Sequence, residues 1–201
     1  MRLFIAIPLP EEISERVAGV CRGLPDVRWV SPERMHLTLR FLGDDISPER
    51  MEAVVDVLAT VRCPGFVLRP RGIGRFMHPR SPGVLWLGVH EEPALRELHR
   101  RIDSRLSSVG FASEKRAFEP HITIARLKGV SDSRVLEYLQ LHGEFATDSF
   151  EVEDFVLFSS VLRPGGAQHE IEEVFPLELP AANSDSGAAA GQGGEGAAHE
   201  G

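Results

Sequence analysis

One pattern occurs twice in this chain, and its repetition limits the fold more than any other feature. His36-Leu37-Thr38-Leu39 and His121-Ile122-Thr123-Ile124 each alternate a polar with an aliphatic residue, the period of a half-buried β-strand. Each lies in the middle of a longer, matching order of elements. The first half reads as strand Leu3–Ile7, a helix from about Glu11 to Cys21, strand His36–Leu42, a helix opened by Ser47-Pro48, and strand Phe66–Leu68. The second reads as strand Val84–Val89, a helix through Leu95, Leu98, Ile102 and Leu106 that stops at Gly110, strand His121–Leu127, a helix capped by Ser131, and strand Phe150–Phe158. Residues 1–70 and 83–158 thus share the order strand–helix–strand–helix–strand, as a duplicated unit with a small insertion would.

The helix boundaries rest on local chemistry. Pro10 and the acids Glu11 and Glu12 suit the positive end of a helix. Ser47 supplies an N-cap, Pro48 a first helical position, and Met51, Val54, Val55 and Leu58 an apolar stripe. From residue 181 the chain turns to Ala, Gly and small polar residues with no larger aliphatic. Such a tract cannot bury enough apolar surface to offset the entropy of ordering, so a disordered tail is expected over 181–201 and one two-lobed domain over 1–180.

Two histidines and two threonines on strand faces suit phosphodiester chemistry. Strand parity puts His36 with Thr38, and His121 with Thr123, opposite the aliphatic residues that anchor the core. Packing the halves about a pseudo-two-fold axis would set the two imidazoles on opposite sides of one cavity. With an unperturbed pKa near 6.5, one ring can begin neutral and the other protonated. The neutral ring takes a proton from water and the charged one gives a proton to a leaving oxygen, each role contributing roughly 10²–10⁴-fold in rate. Threonine hydroxyls can donate to phosphate oxygens. A lone histidine in a strand is usually structural; two in matching positions of a repeat argue for catalysis. Parity also places Arg40 on the His36 face. His78, His90, His99, His142 and His199 lack such a match and read as structural or surface residues. Arg71-Gly72-Ile73-Gly74-Arg75-Phe76 reads as a surface loop, with stacking on a terminal base as its alternative.

In these residues the chain resembles the two-histidine phosphoesterases, and within them the RNA 2′,3′-cyclic phosphodiesterases, or 2′-5′ RNA ligase family. The likeness covers almost all of residues 1–178. It rests on Arg2-Leu3-Phe4-Ile5-Ala6-Ile7, His36-Leu37-Thr38-Leu39-Arg40-Phe41-Leu42-Gly43, Val84-Leu85-Trp86-Leu87-Gly88-Val89 and Pro120-His121-Ile122-Thr123-Ile124-Ala125-Arg126. It implies a bilobal α+β fold with two antiparallel sheets flanking a central groove. It implies hydrolysis of RNA 2′,3′-cyclic phosphate ends to 2′-phosphates without cofactor or metal, with His36 as proton donor and His121 as acceptor. Arg126 matches a phosphate-binding arginine of the family, although parity puts it on the Ile122 face; the strand must bulge to bring it round. At His169 many relatives carry a tyrosine.

Composition bounds the rivals. A net charge of −8 disfavours broad charge-driven binding to nucleic acid, but not a grip on one phosphate. Cys21 and Cys63 form neither a zinc pattern nor a disulfide framework, and the N-terminal apolar run is too short for a signal or a membrane span. A cytoplasmic protein is expected. A metallohydrolase would need a third ligand such as Glu119 or Asp44, with no supporting spacing. A module that only binds RNA ends is the second class, and no G-x-S-x-G supports a serine hydrolase. RNA ends (tRNA fragments among them), other cyclic nucleotides and reverse 2′-5′ ligation all use the same protons. Nothing in the sequence sets an oligomeric state.

Overall fold

The alternation in the two histidine strands reappears as a ladder in which they are central neighbours. The computed structural model of the protein describes residues 1–78, 81–163 and 166–178. Strand β1 (Arg2–Pro8) lies between β3 (His36–Gly43) and β9 (Asp154–Arg163), and β10 (Gly166–Pro176) pairs with β9. On the other side β6 (Ser81–Val89) lies between β7 (His121–Leu127) and β5 (Pro70–His78), and β2 (Val27–Trp29) adds to β7. All these pairings are antiparallel. The two wings join where β3 meets β7 through one registered pair, Leu37 with Ile122.

Those two residues are equivalents in the repeat. So are β4 (Phe66–Leu68) and β8 (Phe150–Val152), the closing strands of the two units, which form a separate two-stranded antiparallel sheet. The pseudo-two-fold axis therefore passes between Leu37 and Ile122 and through the β4–β8 pair. The α+β class and the duplicated order are as expected from sequence.

Four α-helices among the described residues pack on the sheet: α1 (Glu11–Ala18), α2 (Pro48–Leu58), α3 (Pro93–Ser108) and α4 (Asp132–His142). Their apolar stripes (Val17; Val54 and Leu58; Leu95, Leu98, Ile102 and Leu106; Val135 and Tyr138) join Leu37, Leu39, Ile122 and Ile124 in one buried cluster spanning both halves. Each such aliphatic side chain contributes about 1.5–3 kcal/mol on burial. The helices thus leave the histidine face of the sheet open. The Ser47 hydroxyl caps α2 by accepting from the Arg50 amide at 3.3 Å. Ser131 precedes α4 without capping it, its hydroxyl lying 3.2 Å from that of Ser133. Helix α1 stops short of Cys21 because the Val20 and Cys21 amides turn to carbonyls three residues back.

Two segments differ from expectation. Phe150–Phe158 is not one strand: it divides at Glu153, whose carbonyl accepts from the Leu177 amide, and β8 and β9 enter different sheets. Residues 71–76 are not a surface loop but lie within β5. Gly74 is needed there because the Trp86 ring lies on it; a Cβ at that position would sit 2.2 Å from a ring carbon. No helix among the described residues is long and apolar enough to cross a membrane.

Candidate active site

Both histidine strands keep their alternation for four residues and then bulge at the same place. In β3, Thr38 pairs with Ala6 and Arg40 with Ile5, so Leu39 is an extra residue. In β7, Thr123 pairs with Trp86 and Ala125 with Leu85, so Ile124 is extra. A bulge inverts the facing of the residues beyond it. It turns Arg40 and Ala125 inward and brings Phe41 and Arg126 to the face of the histidines. The bulge that Arg126 requires is therefore present.

The same device corrects Arg40. Its side chain is only 5% exposed, donates to the Ala112 carbonyl, and pairs with Asp103 at 3.5 Å and Glu114 at 2.8 Å. Arg40 fastens β3 to α3 and the segment after it, and takes no part in the open face. Strand parity failed because it assumed an unbroken ladder.

His36, Thr38, Thr123 and Arg126 line one cavity of about 620 Å³. His121 falls on the same sheet face by register but lines a separate cavity of about 480 Å³ with Phe76, Trp86 and Arg71. The Leu37–Ile122 register sets His36 across from Thr123 and Thr38 across from His121. In regular pairing the two histidines would then be diagonal neighbours, about 7–8 Å apart.

Each imidazole is anchored alike. The Nδ1 of His36 lies 2.9 Å from the Arg34 carbonyl, and that of His121 lies 2.7 Å from the Glu119 carbonyl, two residues back in both cases. A carbonyl only accepts, so Nδ1 carries the hydrogen and Nε2 is left for a ligand. Phe4 and Phe158 flank His36 with ring centroids 4.9 and 6.3 Å away, and Phe76 meets His121 edge-on at 5.1 Å.

The surroundings oppose charge on His36. Burial first and then the neighbouring His169 push its pKa down to about 4, against an upward pull from the Arg34 carbonyl that outweighs the further lowering by the Arg34 charge. His169 is lowered too, by burial first and then by Arg34 and Arg2. The sequence marked position 169 only as a departure from tyrosine. Its ring stands edge-on to His36 at 5.2 Å and to Phe4 at 4.9 Å. Arg2, Ser160 and His169 form a row across β1, β9 and β10 and all line the cavity. Sequence reasoning did not single out Arg2, Arg28, Trp29, Arg34 or Ser160 as site residues; the first lies in a motif, and Arg34 is two residues before His36. Among the described residues no group of three or more His, Cys, Asp or Glu side chains is placed to hold a metal ion.

Known proteins resemble this chain in sequence and in fold. The RNA 2′,3′-cyclic phosphodiesterase of Archaeoglobus fulgidus is 33% identical over 178 residues, covering 87% of this chain and 99% of its own. That of Thermotoga maritima is 34% identical over 178 residues, covering 85% and 92%. The crystal structure of E. coli LigT complexed with 3′-AMP superposes with a TM-score of 0.71 at 29% identity, covering 88% of this chain and 97% of that one. The model of the 2′-5′ RNA ligase superfamily matches residues 7–162. With the repeat, the paired histidine strands and the shared fold, this match places the chain in the 2′-5′ RNA ligase superfamily.

Proposed function

We propose that the protein hydrolyses the 2′,3′-cyclic phosphate at an RNA end to a 2′-phosphate, with His36 as general acid and His121 as general base. The observation that carries this reading is the matched pair of imidazoles, each held at Nδ1 by a backbone carbonyl and offering Nε2 from one sheet face. The names of the relatives support the substrate class. His121 Nε2 takes a proton from water, whose oxygen bonds to phosphorus. The bond from phosphorus to the 3′ oxygen breaks, and His36 delivers a proton to that oxygen. A 2′-phosphate and a free 3′-hydroxyl result. Thr38, Thr123 and Arg126 bind the non-bridging oxygens, where charge grows most in the transition state. 2′-5′ ligation would use the same protons in the same order, with an RNA 5′-hydroxyl in place of water as the nucleophile that His121 deprotonates. The unpaired thiols Cys21 and Cys63 agree with a reducing, cytoplasmic setting.

The test is an oligoribonucleotide ending in a 2′,3′-cyclic phosphate, incubated with purified protein in excess chelator, with the phosphate position read in the product. The expected product is the 2′-phosphate, and His36→Ala and His121→Ala each reduce turnover by at least about 10²-fold with the fold intact. A 3′-phosphate product, dependence on metal, or a variant with full turnover would each contradict the reading.

A further inference from the structure

The cavity beside His36 holds more positive charge than one cyclic phosphate needs. Among the described residues Arg2, Arg28, Arg34 and Arg126 line it and no aspartate or glutamate does, in a chain whose net charge is −8. The cations lie in two groups. Arg28 and Arg126 are direct cross-strand partners on β2 and β7. Arg34 and Arg2 lie on the other flank, where the charges of both reach His169. Arg2 is tied to Asp44 at 3.1 Å. The Nε of Arg34 is buried and has no hydrogen-bond partner among the described residues, nor does its guanidinium pair with any described carboxylate. Arg34 is half-buried; an N–H left buried without an acceptor costs stability, and a guanidinium on the cavity wall without a described counter-charge suits an anionic ligand. Thr38, Thr123 and Arg126 already account for the reacting phosphate, and the cavity of about 620 Å³ extends beyond them.

We propose that this cavity binds two successive phosphates of an RNA end, the reacting cyclic phosphate at Thr38, Thr123 and Arg126, and the adjoining internucleotide phosphate at Arg34. The inference rests on the phosphodiesterase reading above and deepens it. It makes the enzyme one for oligonucleotide ends over cyclic mononucleotides, and it makes Arg34 the residue that tells them apart. The preference is electrostatic, so it acts through the charge of the second linkage and weakens with added salt.

Three substrates test this with the full-length protein: a 2′,3′-cyclic mononucleotide, a dinucleotide with the same cyclic end, and that dinucleotide with an uncharged methylphosphonate linkage. In the wild type, kcat/KM for the charged dinucleotide should exceed that for the neutral one by about tenfold or more, the value of one hydrogen bond to a charged group. In Arg34→Gln the ratio should fall to within about twofold, and Arg34→Lys should restore part of it. Equal rates on the charged and neutral dinucleotides in the wild type would overturn the proposal. So would a ratio that persists in Arg34→Gln. In either case hydrolysis of the neutral dinucleotide would leave the phosphodiesterase reading standing, whereas hydrolysis of none of the three would overturn both.

Discussion

His36 must carry a proton to act as an acid, yet its burial and its neighbours His169 and Arg34 hold its pKa near 4 in the free protein. The substrate's own charge resolves this. Opposite unit charges about 4 Å apart attract by about 4 kcal/mol at an effective dielectric constant near 20, or about three pKa units. That is enough to offset the fall from 6.5 to about 4. A phosphate in the cavity therefore draws a proton onto His36 as it binds. The sign of the effect is open to measurement. Since kcat/KM reports the free enzyme and kcat the bound complex, the alkaline limb of kcat should lie at higher pH than that of kcat/KM. His36→Ala should abolish the alkaline limb and His121→Ala the acid limb. Both limbs vanishing in the opposite variants would reverse the two roles, and coincident alkaline limbs would show that bound phosphate does not charge His36. At this scale the sequence displayed the two histidines and threonines openly, because a repeat doubles a weak signal. It hid Arg34 and His169, whose importance comes from which strands lie side by side.

At the scale of the element, the paired bulges decide which arginine reaches the face of the histidines. Positions 41 and 126 are equivalent in the repeat, as are 40 and 125. The bulge presents Phe41 and Arg126 outward and sends Arg40 and Ala125 inward. Alternation in the sequence is the same with or without an extra residue until the ladder is known, so parity put Arg40 on the site face and Arg126 off it, and only the family resemblance pointed to Arg126. Aligning the two halves and carrying Arg126 across to Phe41 would have exposed the error. The break between β8 and β9 was hidden for a related reason: both pieces keep an apolar alternation while joining different sheets. The two arginines should separate by experiment. Arg126→Gln is expected to lower kcat/KM by about 10–150-fold, one hydrogen bond to a charged group, with little change in melting temperature. Arg40→Ala should do the reverse. It removes a buried cation from partly exposed Asp103 and Glu114, costing about 2 kcal/mol of stability, and should leave kcat/KM at low temperature within about twofold. A large loss of kcat/KM in a folded Arg40→Ala protein would return that residue to the site.

At the scale of the whole molecule the duplicated halves are interleaved rather than side by side. The C-terminal strands β9 and β10 complete the wing built on β1, β2 of the first half adds to β7 of the second, and β4 pairs with its equivalent β8. One hydrophobic cluster runs beneath both. The sequence showed the duplication but not the interleaving, which depends on the route of strands it did not distinguish, such as β5 and β10. A chain joined this way should unfold as one unit despite its two-lobed outline. The two tryptophans report on different parts of it: Trp29 at the β2–β7 seam, 5.7 Å from the Tyr138 ring of α4, and Trp86 on β6 within the second wing against Phe76. Fluorescence of Trp29→Phe and of Trp86→Phe, and far-ultraviolet circular dichroism of both, should each show a single transition, with the two probes coincident within each variant. Separate midpoints for the two probes would mean that the wings melt independently and that the shared core does not couple them. Residues 181–201 lie outside the described residues, and their composition gives them no large apolar side chain with which to dock. Their deletion should therefore leave both the midpoint and the turnover of a cyclic phosphate unchanged, and a melting temperature several degrees lower would place the tail on the folded body.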